Sequence, residues 1–207
     1  MEEDIKSYAQ DKEDLLIFDI LKKNNLLREN KPLYFDIGVN SPIIMSNTYL
    51  FYLLGFYGVL IEPLPMCGDY IKKTRPRDIF VEGAVGTING PGCIKKRGRH
   101  GGGSYLTDLK WVGQRNCYPC DVYTIDNLFT QYGIPIFMSL DVEGLELAIL
   151  DTLPVKIPII CLEYTSRRSI NLLKWIKNHE YKIENITNTN IILIDSNHHS
   201  SGMSSAN

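Results

Sequence analysis

Three short stretches put acids where a ligand would meet them. Asp36-x-Gly38-x-Asn40 follows the apolar run Leu33 to Ile37. Glu62 closes the apolar run Val59 to Ile61. Asp141-Val142-Glu143-Gly144 follows the apolar run Ile134 to Leu140. Carboxylates accept hydrogen bonds and attract positive charge, so acids at such positions suit a ligand rich in hydroxyls or carrying a cation. The acid after the second strand is placed for ribose hydroxyls. A diphosphate-bearing dinucleotide requires a fuller glycine series than this turn offers, which reads Gly38-Val39-Asn40-Ser41-Pro42. S-adenosylmethionine has a ribose, no phosphate, and cationic amino and sulfonium groups that Asp36 and Asp141 suit.

The elements that position these acids alternate strand and helix. Residues 4–28 carry Ile5, Tyr8, Leu15, Leu16, Ile20 and Leu21 near helical spacing, which predicts a leading helix or two. After the first strand, Gly38 tolerates a tight turn and a close ligand. Ser46, Asn47 and Thr48 are N-cap residues for a helix to about Leu54, whose N-terminus favours an anionic group such as a carboxylate. Gly55 closes that helix. Pro63 and Pro65 bar strand or helix beyond Glu62. Expected next are a helix over 66–74, a break at 75–78 and a third strand over 79–85, interrupted by Gly83. Residues 86–120 read as a flexible basic loop carrying Lys95, Lys96, Arg97, Arg99 and His100, with edge strands at 105–109 and 118–123. Helices at 125–132, 145–150 and 169–178 follow, with strands at 134–140, 158–162, 181–186 and 190–194. The last two join through the turn at Thr187-Asn188, which requires antiparallel pairing. The class is α/β with a mostly parallel sheet. The organisation expected is a helical cover over 1–30, one domain over 31–195, and a polar, disordered tail over 196–207.

Bulk properties exclude several classes. The chain has 207 residues and net charge −2, so nothing draws it globally to nucleic acid or anionic membrane. The longest apolar run, Tyr49 to Ile61, is well short of the roughly 18 residues of a membrane span. The acidic, polar start is no secretory signal. Five cysteines without regular spacing point to reduced thiols and a cytoplasmic setting. Cys117-x-x-Cys120 lacks the further ligands of a zinc site, and no metal is expected.

FDIGVNSP, SNTYLFY, GVLIEP, RPRDI, VYTIDNLF, SLDVEGLELAIL and IICLEYT together resemble the FkbM-type methyltransferases. The resemblance covers Tyr34 to Asp195, and SLDVEGLE with TIDNLF is its most specific part. It implies a class I methyltransferase, Rossmann-like fold: a doubly wound seven-stranded sheet, mostly parallel, with an antiparallel last strand. It implies S-adenosyl-L-methionine as methyl donor and an oxygen acceptor on a sugar, polyketide or related metabolite. Asp36, Gly38 and Asn40 would line the methionine end, and Asn47 would also bind the cofactor. Glu62 would hold the ribose, with Pro63 beside it. Ala84 and Val85 would flank the adenine, and Asp141 would sit near the amino-acid part or the acceptor.

An alcohol is a poor nucleophile at neutral pH, so a general base or a metal would help. Asp141 and Glu143 are the candidates, with His100 as a loop-borne third. Glu146 is read as a helix cap and Glu163 as a structural hydrogen-bonding group. The basic run is read as a solvated loop, with a grip on an anionic acceptor, such as a phosphorylated sugar or RNA, as the alternative. The competing functions are a nicotinamide-dependent oxidoreductase, which the missing glycines disfavour, and a non-catalytic cofactor- or RNA-binding module.

Overall fold

Five consecutive buried residues, Leu33–Ile37, need cover on both faces, and they form the centre of the main sheet. In this computed structural model residues 5–27, 32–98, 101, 103–107, 110, 112–164 and 169–198 are described. The chain runs α1 (Glu13–Lys23), β1 (Leu33–Ile37), α2 (Tyr49–Leu53), β2 (Tyr57–Glu62), α3 (Pro65–Thr74), β3 (Ile79–Glu82) and β4 (Ala84–Val85). It continues through β5 (Gly90–Lys95), β6 (Tyr105–Thr107), β7 (Cys117–Tyr123), α4 (Ile125–Tyr132), β8 (Phe137–Leu140), α5 (Glu146–Leu150) and β9 (Ile159–Glu163). It closes with α6 (Ser169–Asn178), β10 (Tyr181–Ile186) and β11 (Asn190–Asp195).

The main sheet has seven strands in the order β10-β11-β9-β8-β1-β2-β3. β11 is inserted between β9 and β10 and runs antiparallel to both, as the short closing turn demands. One face buries Leu33, Phe35 and Ile37 with residues of α4, α5 and α6. The other buries Tyr34 and Leu60 with Ile17, Ile20 and Leu21 of α1, Phe51 of α2 and Ile71 of α3. Each fully buried large apolar side chain contributes about 1.5–3 kcal/mol. The chain leaves the central strand in opposite directions, to β2 on one side and to β8 on the other. A crevice opens at such a switch point, outside the carboxyl ends of the strands.

Several expectations are corrected. The leading helix is confined to α1. Residues 5–12 form an irregular strap because Asp14 is taken by local donors: Ser7 Oγ and Tyr8 N each donate to it at 2.6 Å. Glu13 reaches across the molecule, accepting from Thr187 Oγ1 at 2.7 Å and Asn190 Nδ2 at 3.0 Å. Pro65 starts α3 rather than barring it, since a helix needs no N–H at its first positions. The third strand is two: Gly83 lets the chain leave β3 and enter a second sheet at β4. That sheet, in the order β4-β7-β5-β6, occupies much of the segment read as a flexible loop. Cys93 and Cys117 form a disulfide between β5 and β7, with Cα atoms 6.1 Å apart, which corrects the expectation of wholly reduced thiols. Residues 196–198 form a 3₁₀ turn, and the rest of the expected tail lies outside the described residues.

Arg75 is 1% exposed and lies under the switch point. Its Nε pairs with Asp78 at 2.7 Å, and its Nη1 lies 3.6 Å from Asp36 and donates to Thr48 Oγ1 at 2.8 Å. Tyr34 donates to Asp78 at 2.7 Å, and Gly58 N donates to the same carboxylate at 2.8 Å. Arg75 thus neutralises two buried acids at once. Arg75→Ala strands both, and the expected loss is about 3–5 kcal/mol of unfolding free energy. Urea denaturation measures it; a variant as stable as the parent would show that the pairing does not support the fold.

Candidate functional site

Gly38 turns the chain at the tip of β1 with φ +86, the left-handed region that glycine occupies freely. A Cβ there would collide with the Asp141 carbonyl oxygen. Asp141 N in turn donates to Ile37 O at 2.9 Å, so the tips of β1 and β8 are drawn together. Asn40, at φ 48, donates its N–H to Glu62 Oε2 at 2.7 Å, and Leu64 N donates to Glu62 Oε1 at 2.8 Å. Glu62 is therefore the anchor of two turns. Each of its oxygens keeps a second lone pair for a further donor. Burial raises its pKa, against the two amide donors that lower it.

Glu62, Gly38, Asn40 and Pro63 line a crevice whose far wall is apolar. Ala84 and Val85 come from β4, Ile94 from β5 and Leu106 from β6, so the second sheet supplies a slot fit for a flat ring. A larger cavity of about 760 Å³ lies alongside, within the range of ligand pockets. Gly38, Asn40, Asp141 and Glu143 line both cavities and form their common wall.

Asp141 is exposed into this space yet crowded by acids. Partial enclosure, then the charges of Glu163, Glu143, Glu146 and Asp36, push its carboxyl up to about 7. The loop behind it is strained, with Glu143 at φ 54. Glu146 holds that loop, accepting from Gly144 N at 2.9 Å and Val142 N at 3.3 Å, which agrees with its reading as a cap. Carboxylate oxygens of Asp141, Glu146 and Glu163 lie within 4.8 Å of one another. Oxygen sets of this kind can hold a divalent cation; an acidic cluster alone assigns none.

The structure brings Gly38, Asn40, Glu62, Pro63, Ala84, Val85, Asp141 and Glu143 to the crevice. Asn47 lies on the larger cavity and donates to Ser139 Oγ at 3.1 Å. His100 lies outside the described residues. Asp36 is not among the residues that line the crevice. It pairs across the sheet with Leu60, two residues short of Glu62, so its carboxylate sits a layer deeper and meets Thr48 and Arg75. Burial raises its pKa, while Arg75 and Thr48 act to lower it. Sequence reasoning missed Ile94, because glycines and basic residues around it hid its strand, and it placed Leu106 on an edge strand without assigning it to the site.

The family described as Methyltransferase FkbM domain matches residues 36–183. No curated protein matches the sequence. Among solved structures, the METTL16 MTase domain is 14% identical with a TM-score of 0.53, over 92% of this chain and 70% of that one. Monomeric WbdD is 10% identical with a TM-score of 0.51, over 88% of this chain and 40% of that one. Precorrin-6y C5,15-methyltransferase from Geobacter metallireducens is 12% identical with a TM-score of 0.47, over 91% and 90%.

Gly38→Ala is expected to part the tips of β1 and β8, lowering the melting temperature and opening the crevice; an unchanged melting temperature would contradict the contact. Asp141 bears on stability through its titration. Its folded pKa is raised, so its favourable contribution is present at low pH and is lost as pH rises through about 7. Asp141→Asn is therefore expected to melt higher than the parent above neutrality, with the gain shrinking toward pH about 4. Thermal denaturation across that range checks the sign.

Proposed function

The chain belongs to the FkbM methyltransferase family, and from that premise we propose that it methylates a hydroxyl oxygen on a sugar, polyketide or related metabolite. The family is one of S-adenosylmethionine-dependent methyltransferases, which displaces the nicotinamide alternative. The donor set of the crevice fits this cofactor: a carboxylate for a diol, an apolar slot for a purine, and acids for a cationic group. When bound, S-adenosylmethionine supplies a methyl group on a positively charged sulfur.

Glu62 would accept from the ribose hydroxyls with its remaining lone pairs. Ala84, Val85, Ile94 and Leu106 would enclose the adenine and exclude water from it. Asp141 carries the proposal. It lies on the wall shared by the two cavities, and its carboxyl titrates near neutrality. A base poised near the working pH combines a large unprotonated fraction with useful basicity. Asp141 would take the proton of the acceptor hydroxyl as that oxygen attacks. Glu143 would share the acceptor side, and Asn47 would hold the far end of the same wall. Asp36 would act through Thr48 and the turn above it rather than by touching the ligand.

Two measurements test this. Asp141→Asn is expected to bind S-adenosylmethionine more weakly than the parent by calorimetry and, at saturating cofactor, to lose about 10²–10⁴ in turnover. In the parent, kcat/KM is expected to rise with pH through about 7 and then level off, because the base must be unprotonated. Full turnover in Asp141→Asn would remove this residue from the chemistry.

A further inference from the structure

The larger cavity has a chemical asymmetry that bears on its occupant, and the identity of that occupant rests on the cavity being the acceptor side. Its sheet end carries Asp141, Glu143 and Glu163. Its outer rim is apolar. Ile44 is 68% exposed, Met45 62%, Met66 48% and Tyr70 48%, and all four line this cavity. Met66 and Tyr70 stand four residues apart on α3, so they share one helix face. Met45 is held at φ 59, a conformation that costs a non-glycine residue energy and that clusters at ligand sites. A flexible thioether and an aromatic ring left facing an open cavity suit an apolar guest of irregular shape.

The same cavity is lined by one cation among the described residues, Lys96. The basic run it belongs to is divided by the second sheet. Lys95 Nζ donates to Arg115 O at 2.8 Å, and Arg97 stacks over Tyr105 at 4.8 Å. Lys96 instead faces the cavity, half-buried, with its backbone held by a hydrogen bond from its N–H to Asn116 O at 2.8 Å. No hydrogen bond or ion pair engages its ammonium among the described residues. Its charge is felt at the Cys67 thiol in the α3 wall, on the side of Met66 and Tyr70.

We infer that the acceptor is an amphipathic anion: a hydroxylated molecule whose apolar or aromatic body rests on Ile44, Met45, Met66 and Tyr70 and whose carboxylate or phosphate pairs with Lys96. The hydroxyl then lies toward Asp141, on the wall shared with the smaller crevice. A charge-assisted hydrogen bond is worth more than a neutral one, and the partly buried setting of Lys96 limits screening. The acids at the sheet end disfavour an anion there, so the guest has one orientation.

Calorimetry with the full chain and S-adenosylhomocysteine tests this with four probes. They are para-hydroxybenzoate, para-hydroxyphenyl phosphate, neutral para-hydroxybenzamide and glucose phosphate, which is anionic without an apolar body. The two aromatic anions are expected to bind about tenfold to a hundredfold more tightly than the benzamide, and glucose phosphate more weakly than either. The ratio between benzoate and phosphate distinguishes the two anions. Lys96→Ala is expected to erase the preference for charge and Lys96→Arg to retain it, with cofactor affinity unchanged in both. Equal binding of the benzamide, an undiminished preference in Lys96→Ala, or no binding of any aromatic probe overturns the inference. Failure of S-adenosylmethionine to bind, with Lys96-dependent binding of the anions intact, would sink the donor assignment and leave this one standing.

Discussion

The site depends on one close approach, that of the Gly38 backbone to the carbonyl of Asp141. The tips of the two central strands meet there with no room for a side chain. Because they meet, Glu62 on one neighbour and Asp141 on the other open onto adjoining cavities that share a wall. A side chain at position 38 would hold the strands apart and separate Glu62 from Asp141. The hydrogen bond from Asp141 N to Ile37 O secures the same contact from the other side.

Around that contact the protein sorts its acids by depth. Asp36 and Asp78 lie below the switch point and are neutralised by Arg75, Thr48 and backbone donors. Asp141, Glu143 and Glu163 lie above it and line a cavity, where the neighbouring acids push the Asp141 carboxyl up. A charge buried without a partner is costly, whereas one at a cavity mouth keeps access to water. The lower acids therefore serve the fold, and Asp141 above them stays open to the cavities. The same principle divides the basic run: Lys95 and Arg97 support the second sheet, and Lys96 faces the cavity.

Much of the main sheet was legible in the residues. Its strands are short apolar runs bounded by glycine, proline and acids, and α4 and α6 carry strong periodicity, with Thr124 capping α4 through Asn127 N at 3.3 Å. Of the second sheet, β6 and β7 were legible as edge strands, but β5 was not, because Gly90, Pro91 and Gly92 mimic loop composition while pairing with β7 in a regular ladder. Ladder pairing supplies hydrogen bonds that local propensity does not report. The N-terminal strap was misjudged for a related reason. Its apolar spacing is helical, but Asp14 and Glu13 gain more from other donors than from continuing a helix.

What the sequence by itself determined is the order of elements, the sheet class with its antiparallel close, and which acids stand at strand ends, since apolar period and turn chemistry are local properties of the chain. Tertiary structure alone decided which of those acids lines the crevice. Asp36 and Glu62 read alike in one dimension, and register sets them a layer apart: Asp36 pairs with Leu60, below the tip, while Glu62 stands opposite the turn at Gly38. It likewise decided that a glycine-rich, basic stretch becomes the wall of a slot, because strand pairing between residues far apart in the chain leaves little trace in any one segment.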